Sequence, residues 1–340
     1  MVLASFSCLN NKESTSQKIA IQFNELQTNS DVSIRALVVV TEDIVWASGA
    51  DGTVLNTING GKSWSTFQIP NEPENDFRCI YAWSETKAMV FGIAGPEFGY
   101  LTEDGGKTWE VVYQDSTTGL FFNSLVFADE LNGLAISDQV DGKPFVIRTE
   151  NGGQDWKKVD SVPEVWAGEA NFAASNTCIE YLPSGHAWFV TGGIKSRVFY
   201  SSDFGKSWEH TEYLLFPNSP SSGIFSVAFK NEKEGVIVGG TYDRPELNTN
   251  IAAYTKDGGL SWKPSETMPK EYRSCVQFFS DGKKDIVIAI GKTGCDISMD
   301  NGKTWQFSND NGYYTLSAIP GTLSGYAAGS GGRIAKFSLK

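Results

Sequence analysis

Metal-binding residues are scarce in this chain: it has two histidines in 340 residues, and its five cysteines form no CxxC pair. A zinc centre needs four nitrogen or sulfur ligands at close spacing, and no such set is present, so no metal is expected. No apolar run approaches the roughly 20 residues of a membrane-spanning helix. Basic residues are outnumbered, 28 against 40 acidic ones, for a net charge of −12. That balance argues against affinity for a phosphate backbone or an anionic bilayer, so nucleic acid is not an expected partner. No Gly-x-Gly-x-x-Gly follows a strand and opens a helix, which removes the usual dinucleotide site, and no cofactor is expected. What the chain does hold is 35 Gly, 10 Trp, 12 Tyr and 21 Phe, with 40% hydrophobic residues. This composition excludes disorder and coiled coil, and the even spread of Gly and Trp points to one large architecture built from small units.

The first eight residues, Met1-Val2-Leu3-Ala4-Ser5-Phe6-Ser7-Cys8, read like the end of a bacterial lipoprotein signal. A short apolar run leads to a small residue immediately before a cysteine, while the positively charged region and most of the hydrophobic region are missing. The expectation is a true start upstream of Met1, lipidation at Cys8, and a polar tether up to Gln17. Residues 1–17 would then precede a single domain over 18–340, in the periplasm or tethered to the outer membrane, with membrane contact only through the lipid. The alternative is a frayed cytoplasmic N-terminus. Cys79, Cys178 and Cys275 lie in apolar, strand-like stretches and are expected to be buried, inert thiols.

One octet recurs six times, at residues 57–64, 102–109, 149–156, 201–208, 255–262 and 298–305, with the pattern S/T-x-D/N-x-G-x-S/T-W. Its third residue is Asn59, Asp104, Asn151, Asp203, Asp257 or Asp300, each able to bond backbone N–H groups of a turn. The glycine at the fifth position supplies a positive φ. The closing Trp64, Trp109, Trp156, Trp208, Trp262 or Trp305 would pack the turn against a neighbouring sheet. These tryptophans stand 45, 47, 52, 54 and 43 residues apart, the length of a four-stranded unit.

The octet resembles the Asp-box, or BNR, repeat that lies between the third and fourth strands of the blades of sialidase-like β-propellers. Upstream of each box stand β-rich runs, such as residues 34–40, 43–49 and 52–57, which read as inner strands A, B and C, with 65–69 as the outer D. A seventh unit at 314–319, 325–329 and 333–339 has no box and no fourth strand, whereas 19–26 is a strand without a unit of its own. The expected fold is therefore all-β: a single seven-bladed β-propeller of four-stranded antiparallel blades, its ring closed by the N-terminal strand.

Function is expected on the face opposite the boxes, where the D–A and B–C loops lie. The long insertions are there, at 157–172 and 240–251, the second containing Tyr242, with shorter loops at 138–143 and 92–98. The first residues of the inner strands align as Ile34-Arg35, Phe77-Arg78, Phe122-Asn123, Ile224-Phe225 and Tyr272-Arg273. Arg35, Arg78 and Arg273 are thus expected to converge on one funnel, beside Asn123, as a positive mouth for carboxylate, phosphate or an acidic segment. The competing possibility is local pairing with Asp76, Glu169 or Glu271. Glu169 could reach the same mouth as ligand contact, acid–base group or counter-ion, the last being favoured.

The whole-chain pattern, with Gly52-Thr-Val-Leu-Asn-Thr57 running into a box and Gly332-Arg-Ile-Ala-Lys-Phe337 at the end, resembles the propellers of photosystem II assembly factors and their relatives among the envelope proteins of non-photosynthetic bacteria. The resemblance implies an envelope-associated monomeric scaffold whose arginine patch holds a protein partner or anionic glycan. A sialidase-like glycan-binding protein or glycoside hydrolase is the alternative, with Arg35, Arg78 and Arg273 standing in for an arginine triad. The Arg-Ile-Pro motif of sialidases is absent, however, and sialidases have six blades. An oxidoreductase, the second alternative, has no residue support. The balance favours a scaffold over an enzyme.

Overall fold

The computed structural model describes residues 19–213 and 219–339, so Cys8 and the tether lie outside the described residues. No helix occurs among the described residues. Seven antiparallel blades form a ring in which each inner strand touches the next, and the seventh, Thr315–Ala318, touches the first, Ile34–Val39. Blade 1 comprises Ile34–Val39, Val45–Gly49, Thr53–Thr57 and Ser65–Gln68. The inner strands of blades 2 to 6 are Cys79–Ala82, Phe122–Phe127, Ile179–Tyr181, Ser222–Phe229 and Cys275–Ser280.

The apolar core lies between blades. Val45 and Ala47 pack toward blade 7, while Trp46 between them packs toward blade 2. A strand with covered faces on both sides is apolar at successive positions, which is why second strands such as Ala88–Phe91 and Ala187–Val190 read as hydrophobic runs. Polar tips of these large residues reach across the same interfaces. Trp46 Nε1 donates to the Ser84 carbonyl of blade 2 at 2.9 Å, and Tyr326 Oη donates to the Glu42 carbonyl of blade 1 at 2.8 Å.

Ile21–Leu26 closes the ring by pairing with Ile334–Leu339 over its full length, from Ile21↔Leu339 to Leu26↔Ile334. The seam is tied to blade 6 as well, because Asn309 Nδ2 donates to the Ile21 carbonyl at 2.8 Å. Phe23 packs 5.0 Å from the Tyr313 ring, and Arg333 pairs with Glu25 at 2.7 Å. Closure gives the seventh blade its fourth strand and pairs the outer side of Ile334–Leu339.

Each Asp-box is a self-contained hydrogen-bonded turn. In the second, Thr108 donates its N–H to Asp104 Oδ1 at 2.9 Å and its hydroxyl to Oδ2 at 2.7 Å, and the Gly106 N–H donates to Thr102 Oγ1 at 2.9 Å. The two Thr108 donors pull the Asp104 carboxyl down to about 2, the backbone N–H contributing most. In the third box Asp155 replaces the usual hydroxyl residue, and the partner at the third position is accordingly an amide: Asn151 Nδ2 donates to Asp155 Oδ2 at 2.9 Å. The six box glycines, Gly61, Gly106, Gly153, Gly205, Gly259 and Gly302, have φ between 71° and 88°. Each lies against a side chain of the preceding blade, in order Leu26, Phe67, Met89, Leu134, Trp188 and Val236.

A methyl group at Gly106 would meet the Phe67 ring at 2.8 Å on a backbone of φ +88°. Gly106→Ala is expected to destabilise the propeller by about 1–3 kcal/mol. Thermal unfolding checks this, and an unchanged Tm would contradict the structural role given to the box.

Candidate functional site

The inner strands deliver side chains to the channel mouth through local irregularities. In blades 1, 3 and 5 the register with the second strand slips at Arg35, Asn123 and Phe225. A bulge of this kind re-aims the side chain of the extra residue. The backbone also fixes which positions are equivalent. The N–H groups of Ile34, Phe77, Arg273 and Tyr313 donate to glycine carbonyls of the preceding blade, those of Gly329, Gly49, Gly239 and Gly291. Ser274 and Tyr314 therefore occupy the place of Arg35 and Arg78, and Arg273 does not.

That one-residue offset corrects the expected arginine trio. Arg273 sits at the wedge position of Phe77 and Tyr313, fully buried between blades, because a shift by one residue reverses the direction of a strand side chain. Its Nε donates to Asp296 Oδ2 at 2.6 Å, and its Nη1 donates to the Tyr272 carbonyl and Thr293 Oγ1 at 3.0 Å each. Arg35, Arg78 and Tyr242 do meet, in the wall of a cavity of about 450 Å³ at the channel mouth. Arg78 pairs with Asp76 at 2.8 Å and lies 5.5 Å from the Phe121 ring. Arg35 lies 4.0 Å from the centre of the Tyr314 ring. Among the described residues no carboxylate pairs with Arg35, and its buried Nε has no hydrogen-bond partner.

Further residues of the wall, among them Phe172, Phe225, Tyr272, Tyr314 and Lys292, were not expected as binding residues. The signal for Tyr314 was present, since it shares the register of Arg35. Phe172 gave no such signal, being carried by the connection between blades 3 and 4. That connection begins later than the expected 157, because Lys157–Lys158 form the outer strand of blade 3. It then threads inward. Glu169–Ala170 pairs with Gly192–Gly193, which joins blade 5 at Gly223 and widens that sheet to six strands.

Residues 173–177 continue across the channel and close the cavity floor. Ser175 Oγ donates to the Ser274 carbonyl at 2.7 Å, and Thr315 Oγ1 donates to the Ser175 carbonyl at 2.9 Å. On the other side Asn176 Nδ2 donates to the Ile80 carbonyl and its Oδ1 accepts the Leu125 N–H, both at 2.9 Å. Asn123 serves this segment rather than the mouth: it is fully buried, with Nδ2 donating to the Asn171 carbonyl at 3.4 Å. Glu169 also stands apart from the cavity. It is 1% exposed and holds Arg197 through Nη2 at 2.6 Å and Nε at 2.9 Å, the counter-ion of a buried pair. The four described cysteines, Cys79, Cys178, Cys275 and Cys295, are free and buried, and burial pushes the Cys178 and Cys295 thiols up to about 12. No group of acidic, Cys or His side chains among the described residues is arranged to hold a metal ion.

Comparison with known proteins agrees with this architecture. The BNR/Asp-box repeat family matches residues 199–210. The photosystem II assembly lipoprotein Ycf48 of Synechococcus sp. strain CC9902 is 22% identical over 249 residues, 73% of this chain and 66% of that protein. The photosystem II assembly protein Ycf48 of Synechococcus sp. strain JA-2-3B'a(2-13) is 24% identical over 227 residues, 66% of this chain and 60% of that one. The matches thus span just under two thirds of these relatives. A solved structure described as YCF48 bound to D1 peptide superposes with a TM-score of 0.64 at 15% identity, covering 93% of this chain and 94% of that one. The chain is a seven-bladed Asp-box β-propeller. Within that class it is similar to the photosystem II assembly propellers.

The loop at 92–98 was expected at the mouth but does not line the cavity. It carries Glu97, fully buried, with neither carboxylate oxygen hydrogen-bonded. Burial pushes its carboxyl up to about 8, and the charges of Glu72 and Asp115 push the same way. The folded chain therefore keeps this proton between about pH 4.5 and 8, where the unfolded chain has released it. Stability is expected to fall as pH rises through that window, by up to about 1.4 kcal/mol per pH unit from this group. Urea unfolding between pH 5 and 8 should show a shallower fall for Glu97→Gln than for the parent. Identical slopes would contradict the assignment.

Proposed function

We propose that this chain is a binding scaffold of the bacterial envelope that holds an acidic segment of a protein partner in the mouth cavity. Arg35 carries the reading. Arg35 is half-buried with its Nε shut off from water and unpartnered, which is costly, and among the described residues no carboxylate pairs with it in a chain that contains 40 acidic residues. Arg78, Arg197 and Arg273 are each matched by their own carboxylate. The one unmatched guanidinium in the cavity wall is thus available to an incoming anion. A small basic spot on a chain of net charge −12 selects a short acidic segment over an extended polyanion, which the rest of the surface repels.

Two further observations support a polypeptide ligand at the envelope. The similar proteins from Synechococcus are photosystem II assembly proteins, one of them a lipoprotein, and a structure of the same fold has a peptide bound. Residues 1–8, ending in Ser7-Cys8, read like the end of a bacterial lipoprotein signal.

Cross-linked capture from envelope fractions tests the proposal, with the exposed Lys233→Glu on the box face as a control of equal charge change. The parent and Lys233→Glu are expected to capture the same polypeptide, and Arg35→Glu to lose it by about tenfold or more, with capture by the parent weakening as salt is raised. Equal capture by Arg35→Glu, or none by the parent, would rule the reading out.

A further inference from the structure

Resting on that reading, we infer that the cavity recognises an aromatic side chain next to a carboxylate, so that the partner segment pairs Phe, Tyr or Trp with an acidic group. The two halves of the cavity wall differ in chemistry. On one side four rings from separate stretches of chain form a corner. Phe172 and Phe225 stack with centres 3.9 Å apart and planes 5° from parallel. Tyr242 stands edge-on to both, at 6.4 Å and 6.3 Å, and Tyr272 stands edge-on to Phe225 at 4.8 Å. Tyr242 is 46% exposed, so an aromatic surface remains open to an incoming group.

On the other side lies Arg35 on the Tyr314 ring, with its unpartnered Nε. Lys292 connects the halves: it lines the cavity and its Nζ donates to the Tyr242 carbonyl at 2.7 Å. A site built only to neutralise charge would present polar donors around its cations. This one presents ring faces and edges, which gain most from another ring placed offset or edge-on. The floor limits the occupant. Ala173 and Ala174 line the bottom of the cavity, and the hydrogen bonds of Ser175 and Asn176 to four blades hold the crossing segment in place. The ligand is therefore a side chain or two lowered into a cup, and not a chain threaded through the ring.

The carboxylate can come from an Asp or Glu side chain or from the end of a chain. Calorimetric titration of the full chain with short acetylated peptides separates these sources and tests the inference. The probes are Gly-Phe-Asp-Gly amide, Gly-Ala-Asp-Gly amide, Gly-Phe-Asn-Gly amide, and Gly-Phe as its free acid. Gly-Phe-Asp-Gly amide is expected to bind about tenfold more tightly than either the Ala or the Asn peptide. Tyr242→Ala should erase the preference for Phe while keeping that for Asp, and Arg35→Gln should do the reverse. Comparable binding of the free acid would assign the carboxylate to a chain end; much weaker binding would assign it to a side chain within the segment. Equal binding of the Phe and Ala peptides overturns the aromatic inference and leaves the acidic-segment reading standing. Equal binding of the Asp and Asn peptides, or no binding by any of the probes, overturns both.

Discussion

The contact between a box glycine and a side chain of the preceding blade is what the rest of the molecule depends on. A residue at positive φ without a Cβ lets the turn between the third and fourth strands come within van der Waals reach of the neighbouring sheet, as Gly106 does at Phe67. The box carboxylate or amide then locks the turn, so the glycine cannot swing away. Repeated six times, the contact sets the spacing between blades, and the seventh junction uses Ile21–Leu26 to supply the missing outer strand. Because Leu26 of that strand also lies against Gly61 of blade 1, closure and the repeat are parts of one mechanism.

A ring with its spacing fixed in this way can carry irregularity at its centre. The slips at Arg35 and Phe225 turn side chains out of their sheets into the mouth, on the opposite side from the boxes, while the slip at Asn123 turns its side chain toward Asn171. The connection between blades 3 and 4 crosses the channel and bonds to strands on both sides, which turns an open tube into a floored cavity. Two buried ion pairs support it without taking part. Arg197 with Glu169 anchors the connection, and Arg273 with Asp296 fills a wedge between blades. Each of these arginines has a carboxylate partner, whereas among the described residues none pairs with Arg35 in the cavity wall.

Blade number, strand pattern, ring closure and the position of the boxes were all legible in the sequence, because each rests on a local repeat or on strand periodicity. The mouth was legible only in part. Arg35, Arg78 and Tyr242 were found from strand starts and loop length, and all three line the cavity. Arg273 was misplaced because alignment by residue type put it level with Arg35, whereas backbone pairing puts it level with Ile34. In a strand, a one-residue error exchanges channel for core. Phe172 and the floor at 173–177 had no periodic signature, since their positions follow from hydrogen bonds to five different blades rather than from any neighbour in sequence.

Hydrogen exchange of the full chain, free and in complex with its captured partner, addresses most directly the claim that the mouth cavity holds that partner. Slowed exchange in residues 171–174 and 240–251 and at the starts of the inner strands around Arg35 and Tyr314, with the box turns unchanged, is the predicted result. Slowed exchange confined to the box turns, such as 102–109 and 255–262, would place the partner on the opposite face and contradict it.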